Sequence, residues 1–295
     1  MSIRLLASDL DGTLLNSASE ISKENRDAIG RLCELGVLFV PSTGRAYSEL
    51  ATELKDNPDI RYYICSGGAV MYDKQTGEKI DELISREHIS KITEILSRYD
   101  SWCIIHYDNY TYVQESEITE ERMDHYELHP YLRNLATRTA KRTGDLAEML
   151  KSCDGVEMIA ACFLSEEEAI GCEGELREID GINVLRGTMG HGIHNVELVA
   201  SGACKGDMLL RLADHLGLSY DCVAAVGDSS NDLSMIRAVR SSFAVSNASP
   251  EVKAVAGEVI CSNDEHAVSY ILENYIKKPE NHNKTKKNTI TGDVK

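Results

Sequence analysis

Short apolar runs alternate with amphipathic stretches over the first 65 residues of the chain. The runs at 3–7, 37–40 and 62–65 predict buried strands. Between the first two, Ser22 is placed to cap a helix that continues to Leu35 and stops at Gly36. Strand, helix, strand, helix, strand is the order that builds a parallel sheet covered by helices. The pattern therefore predicts an α/β fold with a doubly wound, Rossmann-like core.

The middle of the chain follows a different pattern. An amphipathic helix is predicted at 85–99, and two short strands at 103–107 and 110–114 flank a turn in the manner of a hairpin. A strand, a helix and an edge strand are predicted at 156–163, 166–179 and 183–186. We expect this segment to be an inserted α+β domain with a small core of its own.

The first pattern resumes near residue 195, with strands at 195–199, 222–226 and 243–245 and helices between and after them. The last residues are rich in Lys, Asn, Thr and Glu without apolar periodicity. We therefore expect a core made of residues 1–83 and 191–275, an inserted domain at 84–190, and a disordered tail at 276–295.

Four clusters of polar residues lie in loops of the predicted core. Asp9 to Thr13 follows the first strand, Ser42 to Arg45 follows the second, and Asp228 to Asp232 follows the strand at 222–226. Lys205 lies in a fourth loop, at the start of a predicted helix. Because ligands of an open parallel sheet bind beyond the carboxyl ends of its strands, we expect the four clusters to form one site.

Two carboxylates two residues apart at the end of the first strand suit phosphoryl transfer. Asp9 is the candidate nucleophile, because a carboxylate can form an acyl phosphate and split one difficult step into two. Asp11 is the candidate that protonates the leaving oxygen and later deprotonates water. Gly12 lets main-chain amides approach the phosphate, and the Thr13 hydroxyl is expected to contact it.

A hard cation such as Mg²⁺ prefers oxygen ligands. Asp9, the main-chain carbonyl of Asp11, and Asp228 are the expected ligands, while Asp232 either holds a metal-bound water or positions Lys205. Lys205 is expected to act beside the metal, because both offset repulsion between an anionic nucleophile and an anionic substrate. The remaining residues expected to bind phosphate or substrate are Thr43, Gly44, Arg45 and Asn231. Arg45 reaches either the substrate or a structural salt bridge.

Composition narrows the possible partners. A net charge of −17 on 295 residues argues against nucleic acid or an anionic membrane, so a phosphorylated substrate must be attracted by local cations. Nine scattered cysteines with no Cys-x-x-Cys pair indicate reduced thiols and a cytoplasmic location. We expect neither a signal peptide nor a membrane span, and the oligomeric state stays open.

These clusters resemble the four motifs of the haloacid dehalogenase-like superfamily of aspartate-nucleophile phosphotransferases. The first is Asp9-Leu10-Asp11-Gly12-Thr13, the second holds Thr43, the third Lys205, and the fourth Gly227-Asp228 with Asn231-Asp232. The resemblance implies a Mg²⁺-dependent phosphatase of small phosphorylated metabolites, with sugar phosphates foremost. The position of the insert, between the second and third motifs, implies a type 2 cap as in Cof-type phosphatases.

Some features leave alternatives open. Ser66 and Ser229-Ser230 stand where the family more often has Asn and Gly, at positions next to the substrate. A phosphomutase of the same family and a catalytically silent sugar-phosphate-binding protein remain alternative functions. His125 and His129 have the spacing of metal ligands but are expected to be surface residues. His191 and His194 are expected in a hinge loop at the cap junction.

Overall fold

The protein is described by a computed structural model that covers residues 2–189 and 193–276. In chain order its strands are β1 Leu5–Ser8, β2 Leu38–Pro41, β3 Tyr62–Cys65, β4 Val70–Asp73, β5 Lys79–Asp81, β6 Ile84–Ser85, β7 Trp102–Tyr107, β8 Tyr110–Gln114, β9 Lys141–Thr143, β10 Gly155–Val156, β11 Met158–Phe163, β12 Ile182–Met189, β13 Ile193–Ala200, β14 Val223–Gly227, β15 Ser241–Ala244 and β16 Glu258–Val259.

The α-helices of the same residues have the following bounds. They are α1 Lys23–Glu34, α2 Thr52–Lys55, α3 Arg86–Leu96, α4 Glu120–His125, α5 Pro130–Asn134, α6 Leu146–Ser152, α7 Glu166–Arg177, α8 Lys205–His215, α9 Leu233–Ala238, α10 Pro250–Val255 and α11 Ala267–Tyr275. None of these helices is both long and apolar enough to cross a membrane.

A parallel five-stranded sheet forms the centre of the core, in the order β16-β15-β14-β1-β2. β1 and β14 are buried along their whole length, as continuous apolar strands covered on both faces should be. Helices α1 and α11 contact each other, as do α8 and α9, and all four contribute to one hydrophobic core with the sheet. The expected α/β core is confirmed, and the carboxyl ends of β1, β2 and β14 lie at one edge.

Local signals place α1 as the sequence predicts. The Ser22 hydroxyl accepts a hydrogen bond from the main-chain N–H of Asn25 at 3.2 Å, which satisfies one free donor of the first turn. Gly36 follows the helix with a φ of +72°, a conformation that glycine adopts without steric cost. Capping chemistry and periodicity therefore fix this helix before tertiary contacts are considered.

β3 differs from its prediction as a third parallel strand. It pairs antiparallel with β4, which pairs antiparallel with β5, and a single parallel bridge between Ser42 and Ile64 ties it to the end of β2. The reason is the turn at 66–68, where Ser66, Gly67 and Gly68 all have positive φ values. This turn reverses the chain at once, so no helix crosses over to a parallel neighbour.

The inserted domain is built on a six-stranded sheet in the order β12-β13-β11-β7-β8-β9. Side chains of α3, α6 and α7 pack on one face of it. Side chains of α4 and α5 pack on part of the other face, around the fully buried Trp102. The hairpin of β7 and β8 turns at Asp108 and Asn109, both with positive φ, as the sequence predicts.

Two expected domain limits change. The strand expected at 195–199 belongs to β13, which pairs along its length with β12 and also with β11, so it extends the inserted sheet rather than the core. The chain therefore returns from the inserted domain to the core after Ala200, not at residue 191 as expected. Ile276 is buried against the core although the expected tail includes it, whereas residues 277–295 lie outside the described residues.

Gly68 tests how tightly the turn after β3 supports α8. A Cβ at this position would lie 2.1 Å from the main-chain carbon of Cys204, directly before Lys205, and Gly68 has a φ of +99°. We expect Gly68→Ala to lower the free energy of unfolding by about 3 kcal/mol or more, because neither backbone can yield cheaply.

Gly77→Ala is the matched control for Gly68→Ala. Gly77 also has a positive φ, +75°, but a Cβ there meets nothing within 4 Å. Its cost is therefore about 1 kcal/mol of conformational strain. Urea denaturation of both variants measures the difference, and equal midpoints would contradict the close packing of Gly68 on α8.

Candidate active site

The loop after β1 brings the first motif against the end of β14. Asp9 lies one residue beyond the strand, and its main-chain N–H donates to the carbonyl of Val226 at 3.0 Å. Gly12 has a φ of +78°, and a Cβ on it would lie 2.7 Å from Oδ2 of Asp228. The expected need for glycine is thus explained by the close approach of Asp228 as well as by backbone conformation.

Lys205 begins α8, and its side chain is fully buried. Its Nζ donates to Oδ1 of Asp9 and to Oδ1 of Asp232, each at 2.6 Å, and to Oδ1 of Asn231 at 3.2 Å. Burial opposes the charged form, but the two carboxylates outweigh burial and hold the pKa of Lys205 above its usual value. The third and fourth motifs are therefore joined to Asp9 by an ammonium group.

The carboxylates of the site carry more negative charge than Lys205 neutralises. Burial, and next the charge of Asp232, raise the pKa of Asp9 against the opposing effect of Lys205. The same two causes raise the pKa of Asp228 to about 6. Asp9, Asp228 and Asp232 bring carboxylate oxygens within 4.8 Å of one another. Three carboxylates near one ammonium group leave an excess of negative charge. Their oxygens are the ligands that a hard divalent cation prefers, so the cluster fits such a cation.

The contacts of Asp232 are those of a positioning residue. Its Oδ1 accepts from Lys205, and its Oδ2 accepts from the main-chain N–H groups of Asp228 and Ser229 at 2.9 and 3.0 Å. Both oxygens are thus engaged, which agrees with the second of the two roles that the sequence left open. Thr13, expected at the phosphate, is fully buried and donates to Oδ1 of Asp228 at 3.1 Å, so it orients that carboxylate.

Asp11 and Arg45 form an ion pair. Nε of Arg45 lies 2.8 Å from Oδ2 of Asp11, and Nη2 lies 2.5 Å from Oδ1. Thr43, which is buried, accepts a hydrogen bond from the main-chain N–H of Arg45 at 3.2 Å. Of the alternatives expected for Arg45, the structure shows the salt bridge, while the same side chain also borders the cavity described next.

A cavity of about 420 Å³ lies between the core and the inserted domain. Residues expected to bind phosphate or to react line its core end: Asp9, Asp11, Thr43, Gly44, Arg45 and Asn231. Apolar side chains of the inserted domain line much of the opposite end. The cavity is therefore polar where the motifs converge and largely apolar where a leaving group would extend.

Glu49 is a functional candidate that the sequence analysis missed. It is buried at the end of a helical turn at 47–49, yet its partners come from the inserted domain. The hydroxyl of Tyr131 donates to its Oε2 at 2.6 Å, Thr111 donates to its Oε1, and Nε2 of His106 lies 3.1 Å from Oε1. In the sequence, His106 within the apolar strand β7 is the feature that could have indicated this contact.

Ser66 belongs to the same interface rather than to the cavity. Its hydroxyl donates to Oε2 of Glu157 at 2.8 Å and lies 3.1 Å from Nδ1 of His106. Burial disfavours the imidazolium form of His106, but the charge of Glu49, then those of Glu157 and Glu197, raise its pKa above the usual value. The departure at Ser66 from the family pattern therefore bears on how the two domains meet.

The four histidines noted in the sequence differ in position. Nε2 of His125 lies 3.1 Å from a carboxylate oxygen of Asp100, away from the cavity, whereas His129 caps α5 and borders the cavity. His194 is half-buried on β13 and is not one of the described residues that line the cavity. His191 lies outside the described residues.

Comparison with known proteins agrees with this fold. The profile of the haloacid dehalogenase-like hydrolase family matches residues 6–272. Phosphatase YwpJ of Bacillus subtilis (strain 168) is 27% identical over 290 residues, which cover 93% of this chain and 100% of YwpJ. The 5-amino-6-(5-phospho-D-ribitylamino)uracil phosphatase YwtE of the same organism is 30% identical over 290 residues, or 92% of this chain and 97% of YwtE.

A solved structure of a haloacid dehalogenase-like hydrolase from B. subtilis shares the fold with a TM-score of 0.76 at 26% identity, covering 92% of this chain and 99% of that one. The chain therefore belongs to the haloacid dehalogenase-like hydrolase family. The predicted enzyme class, a hydrolase of phosphoric monoesters, is confirmed. From here on the inserted domain is called the cap.

Replacing Lys205 tests its electrostatic position. We expect Lys205→Met to lower the free energy of unfolding by about 3–5 kcal/mol, because it leaves the buried Asp9 and Asp232 without their shared cation. Urea denaturation in EDTA measures the effect without a contribution from metal. Lys91→Met, which removes an exposed ammonium paired with Glu87, should leave the midpoint nearly unchanged. Equal midpoints for the two variants would contradict this interpretation.

Proposed function

We propose that this enzyme is a Mg²⁺-dependent phosphatase that hydrolyses small phosphorylated metabolites through an aspartyl-phosphate intermediate. The observation that carries the proposal is the buried Lys205, which holds one oxygen of Asp9 at 2.6 Å beside Asp228 and Asp232. A carboxylate held in one orientation at the core end of a cavity is suited to in-line attack on phosphorus. A surface carboxylate would lack both the fixed orientation and the cation.

In the first step an oxygen of Asp9 attacks phosphorus and the bond from phosphorus to the leaving oxygen breaks. Asp11 supplies the proton that converts the leaving oxygen into an alcohol. In the second step water attacks the same phosphorus, Asp11 takes the proton of that water, and the phosphate departs from Asp9. Asp11 gives up its proton in the first step and regains one from water in the second, so the enzyme returns to its starting state.

The ion pair between Asp11 and Arg45 has a role in this sequence. A phosphate dianion at the core end of the cavity competes with Asp11 for the guanidinium group. When Arg45 turns toward phosphate, Asp11 loses its ion-pair partner and takes up a proton from solvent, which it then gives to the leaving oxygen. The free enzyme thus keeps the acid/base residue paired, and substrate binding frees it.

Asp9, Asp228 and the main-chain carbonyl of Asp11 would hold Mg²⁺, which when bound would supply positive charge for the phosphate oxygens. Thr13 keeps Asp228 in its orientation, and Asp232 keeps Lys205 in place. The main-chain N–H groups of Asp228 and Ser229 hold Asp232 in turn. This arrangement gives a chain with a net charge of −17 a local cationic site for an anionic substrate.

The substrate is a small metabolite, because the cavity of about 420 Å³ is bounded by the cap on the side of the leaving group. Sugar phosphates are the first class to test, and the relative YwtE is named for a phosphorylated ribityl compound. All nine cysteines are free, which suits the cytoplasm as the location where such metabolites occur.

Removing the nucleophile tests the mechanism. We expect Asp9→Asn to lower the rate of phosphate release by about 1,000-fold or more, because an amide cannot form the acyl phosphate. We expect Asp11→Asn to lower kcat by about 100-fold or more through loss of proton transfer. Phosphate release from a panel of sugar phosphates and nucleotides is the measurement. Asp221→Asn, at an exposed position, is the control, and an active Asp9→Asn enzyme would disprove the mechanism.

Metal removal gives a second test. EDTA should abolish phosphate release, and added Mg²⁺ should restore it. Asp228→Asn should raise the Mg²⁺ concentration needed for half-maximal activity about 10-fold or more, because a carboxylate ligand is lost. Titration of activity against Mg²⁺ in wild type and in Asp221→Asn provides the reference. Full activity in EDTA would contradict the assigned ligand set.

A further inference from the structure

The cap brings an aromatic side chain to the core end of the cavity. Tyr131 follows Pro130 in the first turn of α5, and its main-chain N–H donates to Nδ1 of His129 at 3.3 Å. The guanidinium group of Arg45 lies over the ring of Tyr131, with 4.8 Å between Cζ and the ring centroid. Both side chains line the cavity. Through Tyr131 the cap therefore contacts the arginine that pairs with Asp11.

A hydrogen bond to the core fixes the ring of Tyr131. Its hydroxyl donates at 2.6 Å to Oε2 of Glu49, which follows Arg45 by four residues. Burial, and next the charge of Glu49, raise the pKa of Tyr131 well above its usual value, so the hydroxyl keeps its proton and remains a donor. One tyrosine of the cap thus contacts two side chains of a single core loop, Arg45 through its ring and Glu49 through its hydroxyl.

Glu49 is itself held by the cap. Thr111 of β8 donates to its Oε1, and Nε2 of His106 on β7 lies 3.1 Å from the same oxygen. Burial would raise the pKa of Glu49, but the charge of His106, followed by these hydrogen bonds, lowers it. Glu49 is therefore a carboxylate with a fixed orientation, and Tyr131 has a rigid acceptor for its hydroxyl.

The contact with Tyr131 limits the freedom of Arg45. A long, flexible side chain loses rotamer freedom when it binds a ligand, and this loss weakens binding unless the side chain is ordered beforehand. A cation over an aromatic ring is attracted to it, most strongly where water is excluded, and the Arg45 side chain is only 20% exposed. The ring therefore orders the guanidinium group before a phosphate arrives.

We propose that Tyr131 is a positioning residue, which keeps the guanidinium group of Arg45 ordered at the core end of the cavity, ready to pass from Asp11 to the phosphate of the substrate. This inference rests on the proposed phosphatase function and adds a residue of the cap to it. Glu49 holds Tyr131 and Tyr131 holds Arg45, so the phosphate site is complete only while the cap packs against the core.

Inorganic phosphate tests the phosphate site without a leaving group. Calorimetry in Mg²⁺ should show that Tyr131→Leu weakens phosphate binding about 10-fold, because Arg45 loses the ring. Tyr131→Phe keeps the ring and loses only the bond to Glu49, so we expect a smaller loss. The value of kcat/KM for the sugar phosphate that the wild type hydrolyses best should fall in the same order.

Tyr126 provides a matched control within the cap. Its ring also lies against an arginine, with a centroid 4.9 Å from Cζ of Arg122, and its hydroxyl donates to a carboxylate oxygen of Asp100. Tyr126 is not one of the described residues that line the cavity. Tyr126→Phe should therefore keep phosphate binding and kcat/KM at their wild-type values. If a thermal melt shows that Tyr131→Leu is not folded, the comparison of Tyr131→Phe with Tyr126→Phe decides.

A double-mutant cycle separates positioning from direct contact with the substrate. If Tyr131 acts through Arg45, adding Tyr131→Leu to Arg45→Met should change phosphate binding and kcat/KM by less than about 2-fold, because the group that the ring orders is already absent. Losses that multiply in the double variant would show that Tyr131 contacts the substrate itself or serves only the fold of the cap. Either result disproves the positioning role.

The two proposals fail in different ways. If the wild type hydrolyses esters, but Tyr131→Leu matches it in phosphate binding and in kcat/KM, the positioning role is disproved and the phosphatase proposal stands. If the wild type hydrolyses no ester, the phosphatase proposal fails, and the effect of Tyr131→Leu on phosphate binding alone decides the role of Tyr131. A wild type that neither hydrolyses esters nor binds phosphate would overturn both.

Discussion

The ammonium group of Lys205 is buried between the carboxylates of Asp9 and Asp232, 2.6 Å from each. Charges taken out of water are costly unless they are paired with good geometry, so each of these residues depends on the others. The contacts connect the end of β1, the start of α8 and the turn after β14, which are far apart in the chain. Gly68 helps to position Lys205, because only a residue without a side chain lets the turn after β3 contact the start of α8.

The two ends of the cavity are lined by side chains of different kinds. At the core end, Arg45 and Lys205 provide local positive charge despite a net charge of −17 on the chain. At the cap end, Asn195 and Glu197 line the cavity among apolar side chains. Glu49 lies in a loop of the core and contacts residues of the cap, so it links the two domains beside the cavity. The same cavity is thus bordered by charged side chains of the core at one end and by mixed polar and apolar side chains of the cap at the other.

The convergence of the four motifs followed from their places at strand ends, and the structure brings Asp9, Lys205, Asp228 and Asp232 into contact. Local capping also sufficed for α1. The partner of a strand was less accessible, because a short apolar run has the same appearance in either sheet. As a result, the antiparallel pairing of β3 with β4 was not predicted. Nor was the place of β13 in the cap sheet, since its sequence resembles that of a core strand.

The sequence by itself determined the alternating elements of the core, the order of the motifs and the residue types that suit phosphoryl transfer, because these depend on local periodicity and on chemistry at strand ends. The tertiary structure decided which oxygens Lys205 and Arg45 contact, that Thr13 serves Asp228, and that Ser66 lies in the domain interface. It alone placed Glu49, Asn195 and Glu197 at one cavity. The physical reason is that such contacts join residues from different strands and helices, whose distance in space is unrelated to their distance along the chain.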